Sequence, residues 1–89
     1  MDGKWYLYIL RCNDGTLYTG ITTDVAKRFS QHNAGKGAKY PRGRGPLELV
    51  YQAECVDHSD ALKQELYIKS LSRMEKLTLI ENYRVSHFL

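Results

Sequence analysis

The chain has 89 residues, a length that suits one domain over residues 1–89 and is too short for two independent cores. Its 43% hydrophobic and 26% charged residues exclude a disordered or low-complexity chain, and its net charge of +3 is modest. No apolar run reaches the roughly 18 residues that span a bilayer, and the N-terminus does not have the pattern of a signal peptide. These features predict a soluble, cytoplasmic protein that has no membrane partner.

The first half of the chain predicts two strands, a helix and a loop. Residues 5–12 and 17–21 are rich in aromatic and β-branched residues, as strands are. Asn13-Asp14-Gly15 between them is a turn signal, because glycine accepts a positive φ. Residues 25–33 predict a short helix, and the glycine-rich, basic residues 35–46 predict a loop.

The length of the first turn decides which tyrosines meet. With a three-residue loop, Tyr8 lies opposite Gly20, and the rings of Tyr8 and Tyr18 project from the same face of the sheet. A two-residue loop would put the two rings on opposite faces. Either a functional pair of phenols or a cross-strand aromatic pair that packs the sheet is compatible with this pattern.

The second half of the chain predicts a third strand and two helices. Residues 47–55 predict the strand, and residues 60–71 a helix capped by Ser59 or a neighbour. A capping box that starts at Ser72 begins a last helix, which runs to about Tyr83. The order β-β-α-β-α-α excludes an alternating parallel sheet and predicts an α+β fold, a small three-stranded antiparallel sheet flanked by helices.

The positive charge is concentrated in one part of the chain. Residues 1–24 carry two basic and three acidic side chains and residues 48–89 carry five and seven, whereas residues 25–47 carry six basic and no acidic ones. Because the neutralisation of phosphates releases condensed counterions, a segment of this kind attracts nucleic acid. A solvated basic loop is the alternative.

Glu65 stands out among the carboxylates. On a helix its neighbours are Ala61, Leu62 and Ile68, all apolar, so its carboxylate points toward the edge of the core. A carboxylate in that position needs a cation, a hydrogen-bond donor or a metal ion. A single carboxylate suits Mg²⁺, and an ion pair with Lys69 at i+4 is the alternative.

Arg28 and His32 are four residues apart and lie on one face of the predicted helix. A guanidinium matches a phosphate, and an imidazole exchanges protons near neutral pH. A surface arginine beside a histidine at the helix end is the alternative. Cys12 and Cys55 belong to no CxxC pair and predict buried, reduced thiols rather than a disulfide or a zinc site.

Five motif positions follow one another along nearly the whole chain. They are Tyr6-Leu7-Tyr8, Tyr18-Thr19-Gly20, Arg28 with His32, Gly35 with Gly37-Ala38-Lys39-Tyr40, and Glu65 in Ala61-Leu62-Lys63-Gln64-Glu65. With these motifs the sequence resembles the GIY-YIG nuclease family, and specifically its small stand-alone bacterial members with a single domain. The departures are Tyr6 in place of the glycine that names the motif, Leu7 and Thr19 in place of its isoleucines, and Pro41 in place of a small hydroxyl residue.

The resemblance implies an endonuclease that depends on one divalent ion, Mg²⁺ or Mn²⁺, and cuts phosphodiester bonds of DNA by in-line attack of water. It implies that Tyr8 activates or positions the water and that Tyr18 orients it or contacts the phosphate. It further implies that Arg28 clamps the phosphate, that His32 relays the proton from Tyr8 or holds its hydroxyl, and that Glu65 binds the ion. The ion is expected to arrive with the substrate. A phenol has a reference pKa of about 10, so Tyr8 acts as a base only where a cation such as Arg28 lowers that pKa.

Nucleic acid, DNA in preference to RNA, is the partner that the basic segment and the resemblance together imply. Phosphate contacts position a substrate without reading its sequence, so we expect structure-selective cutting in DNA repair or recombination, weakly selective cutting, or targeting through a protein partner. One alternative is a nucleic-acid-binding module of the same fold with little cleavage of its own, and another is a protein-interaction domain. The residues expected to contact nucleic acid are Lys27, Lys36, Lys39, Tyr40, Arg42 and Arg44.

Overall fold

A computed structural model describes residues 4–33 and 47–88 of the chain. The elements are β1 (Trp5–Arg11), β2 (Leu17–Thr22), α1 (Val25–Asn33), β3 (Glu48–Cys55), α2 (His58–Ser70) and α3 (Arg73–Phe88). The three strands form an antiparallel sheet in the order β2-β1-β3, and with the helices they confirm the predicted α+β fold. None of these three helices in the described residues is both long enough and apolar enough to cross a membrane.

The turn between β1 and β2 sets the register of the sheet. Gly15 has a φ of +86°, and the Cys12 N–H donates to the Thr16 carbonyl at 2.8 Å, which closes the predicted three-residue loop. Tyr8 consequently lies opposite Gly20. Both the turn and the register confirm the prediction made from the sequence.

Alternate residues of β1 belong to two cores, one on each face of the sheet. Leu7 and Ile9 are fully buried in the core that α2 and α3 cover, which also holds Cys55. Tyr8 points to the opposite face and is buried there with Cys12 against α1. Both cysteines are buried free thiols, as predicted. The helix residues that complete the two cores are Ala61, Ile68 and Ile80 on the first face and Val25 and Phe29 on the second.

The ends of α2 and α3 differ from those expected. Asp57 is the N-cap of α2, and its Oδ1 accepts a hydrogen bond from the Asp60 N–H at 2.8 Å. The helix therefore begins at His58, and Ser59 lies within it. α3 begins with the predicted capping box and continues to Phe88, past the predicted end, because no glycine or proline interrupts residues 73–88.

We expect Asp57→Ala to lower the free energy of unfolding by about 1 kcal/mol, because it removes the acceptor for an N–H in the first turn of α2. Ser59→Ala is the matched control, since Ser59 is exposed and does not cap the helix. Chemical denaturation of both variants measures the difference. Equal losses in the two variants would contradict the assignment of the cap to Asp57.

Candidate active site

The hairpin places Tyr8 and Tyr18 on the same face of the sheet, as the predicted register requires. Their ring centroids are 6.4 Å apart and the ring planes are tilted by 45°. Tyr8 is buried, whereas Tyr18 is half-buried. The two rings therefore pack as a cross-strand aromatic pair. What the pair can do chemically depends on the groups that surround the Tyr8 hydroxyl.

The Tyr8 ring lies directly over the backbone of Gly20. A Cβ atom at Gly20 would be 2.5 Å from the Tyr8 hydroxyl oxygen and 2.7 Å from Cζ, closer than real Cβ contacts come. The missing side chain therefore lets the phenol cross β2, the edge strand of the sheet. The predicted register paired these two residues, but the sequence did not indicate that their contact excludes a side chain at Gly20.

α1 brings Arg28 to the face on which the two tyrosines lie. The Asp24 carboxylate accepts a hydrogen bond from the Lys27 N–H at 3.0 Å in the first turn of α1, and only two residues separate the end of β2 from the start of this helix. A polar hollow of about 170 Å³ opens at this junction. Two cations and one carboxylate contribute to its lining, which consists of Thr22, Thr23, Asp24, Lys27, Arg28 and Gln31. Because guanidinium and ammonium groups bind phosphate oxygens, the hollow can accept part of a phosphate backbone.

Glu65 lies on α2, which packs against β2 and β1 on the opposite face of the sheet. Its carboxylate is nevertheless close enough for its charge to raise the pKa of Tyr8. The side chain is 18% exposed, and Lys69 Nζ lies 3.1 Å from its Oε2. The ion pair expected as the alternative for this residue is therefore present, and the carboxylate also belongs to the surroundings of Tyr8.

The pKa of the Tyr8 phenol is raised well above its ordinary value. Burial of the ring is the largest cause, and the charges of Tyr18 and Glu65 act in the same direction. Arg28 lowers the pKa, as expected, but burial outweighs this effect. Tyr8 is therefore a neutral phenol at physiological pH, able to donate a hydrogen bond from its O–H. In the free protein it is not the ionised base that a lowered pKa would have provided.

This raised pKa predicts a loss of stability in alkali. The unfolded chain ionises Tyr8 near its reference pKa of about 10, whereas the folded chain keeps it neutral, so the free energy of unfolding falls as pH rises above about 10. We expect Tyr8→Phe to reduce this dependence on pH. Urea denaturation between pH 8 and about 11.5 measures it, with Tyr67→Phe, which alters an exposed tyrosine, as the control. An unchanged slope in Tyr8→Phe would contradict the interpretation.

Several predicted residues cannot be placed around this site. His32 follows Arg28 by one helical turn in α1, but its side chain lies outside the described part of the structure. Within residues 4–33 and 47–88, no three His, Cys, Asp or Glu side chains form a group that could hold a metal ion. Of the predicted catalytic residues, the structure places Tyr18, Arg28 and Glu65 in the surroundings of Tyr8. The expected contacts to nucleic acid that lie outside the described residues are Lys36, Lys39, Tyr40, Arg42 and Arg44.

The sequence pattern of the GIY-YIG catalytic domain matches residues 4–78 of the chain. Over 81 residues, the chain is 56% identical to a UPF0213 protein of Yersinia enterocolitica, a match that covers 91% of this chain and 84% of that one. It is 52% identical to a UPF0213 protein of Oceanobacillus iheyensis, with 91% and 94% covered.

Two solved structures have the same fold. One is the solution NMR structure of a UPF0213 protein from Bacillus halodurans, with 47% identity, a TM-score of 0.58 and coverage of 88% of this chain and 83% of that one. The other is the solution NMR structure of a protein from E. faecalis, with 32% identity, a TM-score of 0.62 and coverage of 96% and 93%. The fold assigned above is therefore shared by relatives whose structures were determined experimentally.

Proposed function

The chain belongs to the GIY-YIG family of nuclease domains, and a nuclease domain binds nucleic acid. On that premise we propose that the protein is an endonuclease that acts on DNA and depends on a divalent metal ion. The observation that carries the proposal is that the Tyr8 ring, which crosses the edge strand, packs against Tyr18 and lies close enough to Arg28 and Glu65 for both charges to affect the pKa of its phenol. These four residues come from two strands and two helices. Hydrolysis of a phosphodiester needs a positioned water, neutralised phosphate charge and a stabilised leaving oxygen, and these residue types suit those needs.

In this proposal some of the described side chains act on the attacking water and others bind the phosphate. Arg28 binds the phosphate oxygens and offsets the charge that develops when water attacks phosphorus in line with the leaving oxygen. Tyr8, a neutral phenol in the free protein, positions the attacking water through its hydroxyl, and Tyr18 orients that water or contacts the phosphate. His32 is the group whose imidazole is suited to accept the proton that the water loses.

Glu65 is the residue that would hold the divalent ion. Its carboxylate is paired with the Lys69 ammonium, 3.1 Å from one oxygen, which a divalent ion at this oxygen would have to displace. One protein carboxylate together with waters and substrate phosphates is a common way of binding Mg²⁺, and Mn²⁺ accepts the same ligands. When bound there, the ion would stabilise negative charge on the leaving oxygen.

The polar hollow beside Arg28 supports a substrate recognised by its backbone. Arg28 and Lys27 at this hollow suit phosphates, and phosphate contacts carry no information on sequence. We therefore propose selection by DNA structure, such as branches and nicks, in repair or recombination. A protein partner that delivers the domain to its sites is compatible with this selection.

Cleavage of a panel of DNAs tests the proposed function. The panel contains branched, nicked, single-stranded and linear duplex DNA, each incubated with Mg²⁺, with Mn²⁺ or with a chelator. We expect cutting that needs added ion and is fastest on branched or nicked DNA. Ion-independent cutting, or equal cutting of all substrates, would contradict the corresponding part of the proposal.

A second candidate function is a nucleic-acid-binding module of the same fold with little cleavage of its own. Two observations favour it: Tyr8 is protonated at physiological pH, and the Glu65 carboxylate is paired with Lys69. Tight binding of the DNA panel with no cutting under any ion would select this function over the first.

A further inference from the structure

The ion pair between Glu65 and Lys69 occupies the carboxylate that would receive the divalent ion. Lys69 Nζ lies 3.1 Å from Glu65 Oε2, and the Lys69 side chain is 54% exposed while that of Glu65 is 18% exposed. The lysine is thus the more exposed partner, with a four-carbon stem and a head that solvent can reach. An ammonium at this distance and a divalent ion compete for the same oxygen, since the two positive charges repel each other.

We propose that Lys69 is a positioning residue that makes binding of the divalent ion at Glu65 depend on the nucleic acid. In the free protein Lys69 neutralises Glu65 and weakens ion binding. When DNA arrives, a backbone phosphate offers Lys69 a new partner, and the carboxylate becomes available to the ion that accompanies the phosphate. This inference rests on the proposed function and adds the order in which the site is assembled.

The placement of the two residues supports this exchange. Lys69 is four residues after Glu65, on the same face of α2, and α2 packs against β2, the edge strand that the Tyr8 ring crosses. A phosphate that approached the Glu65 carboxylate together with its ion would therefore be near the Lys69 ammonium, whose Nζ lies 3.1 Å from Glu65 Oε2. Lys69 also lies in the last turn of α2, where a positive charge interacts favourably with the helix dipole and stabilises the helix. That structural role alone would not change the affinity of Glu65 for a cation.

Binding of Mn²⁺ to the protein without DNA provides the first test. Electron paramagnetic resonance measures free Mn²⁺ in titrations of the wild type and of Lys69→Met, which keeps the apolar stem and removes the charge. We expect the variant to bind Mn²⁺ about three- to tenfold more tightly, because a competing, partly exposed positive charge has been removed. Lys69→Gln serves as a second variant, and thermal unfolding checks that both are folded.

Lys63→Met is the matched control for the Mn²⁺ titration. Lys63 is on the same helix and carries the same charge, but it is exposed on a different side of α2 from Glu65. We expect it to change the affinity for Mn²⁺ by less than about twofold, since its charge is farther from the carboxylate. Equal affinities in the wild type and both Lys69 variants would overturn the inference, and so would Mn²⁺ binding that survives in Glu65→Gln.

Binding of branched DNA in the presence of a chelator provides the second test. If Lys69 moves to a phosphate, Lys69→Met weakens DNA binding and lowers the slope of log affinity against log salt by about one. Tighter Mn²⁺ binding together with weaker DNA binding is the expected pair of results. An unchanged affinity for DNA would overturn the exchange. One combination of results separates this inference from the proposed function. If Glu65→Gln abolishes cutting but Lys69→Met leaves the affinity for Mn²⁺ unchanged, the inference is refuted and the proposed function stands.

Discussion

Glu65→Gln is expected to lower the rate of DNA cleavage by at least about 100-fold while the protein still binds DNA. The amide has the shape of the carboxylate but no negative charge, so it is a poor ligand for Mg²⁺ or Mn²⁺. Because the side chain is only 18% exposed, this isosteric change also avoids creating a cavity. Single-turnover cleavage of the preferred branched DNA, with binding measured in parallel, tests both parts of the expectation.

Glu48→Gln is the control for the loss of a carboxylate. Glu48 is exposed on β3, and β1 separates that strand from β2 in the sheet. We expect this variant to cut like the wild type, whereas Arg28→Ala, which removes the phosphate clamp, should lose cutting as Glu65→Gln does. If the wild type, Glu65→Gln and Arg28→Ala all cut at the same rate, the activity belongs to a contaminating nuclease and the proposed function loses its support.

Beyond the fold class, the details of the site that the sequence predicts correctly are local ones. Gly15 accepts a positive φ, which favours a three-residue turn. The length of this turn then determines which residues of β1 and β2 face each other. The spacing of four residues between Glu65 and Lys69 likewise predicts their ion pair, because such residues are neighbours on any helix. Each prediction needs only the geometry of one turn or one helix.

The features that the sequence does not predict depend on how the elements pack. The pKa of Tyr8 is set chiefly by burial, because α1 covers that face of the sheet. The sequence therefore predicts that Arg28 lowers this pKa, but not that burial raises it by more. Whether Glu65 reaches the surroundings of Tyr8 depends on where α2 lies relative to β2. The resemblance to a family suggested that approach, whereas periodicity alone placed Glu65 no more closely than at the edge of the core.

Gly20→Ala is expected to lower the rate of cleavage by about 100-fold in a protein that still folds. The new Cβ would be 2.5 Å from the Tyr8 hydroxyl oxygen, whereas ordinary contacts begin at 3.4 Å, so the ring must move by on the order of 1 Å. That displacement takes the hydroxyl away from the position in which it orients the water. Because the obstacle is the end of a side chain rather than backbone, we expect the free energy of unfolding to fall by only about 1–3 kcal/mol.

A double-mutant cycle separates the displacement of Tyr8 from general damage to β2. Tyr8→Ala removes the ring and lowers cleavage by itself, and it also leaves space for a Cβ at Gly20. If Gly20→Ala acts through the phenol, adding it to Tyr8→Ala changes the rate of cleavage little further, and the two effects are strongly non-additive. Additive effects would mean that Gly20→Ala disturbs the edge strand independently of Tyr8, and the close contact between the two residues would then have no part in positioning the hydroxyl.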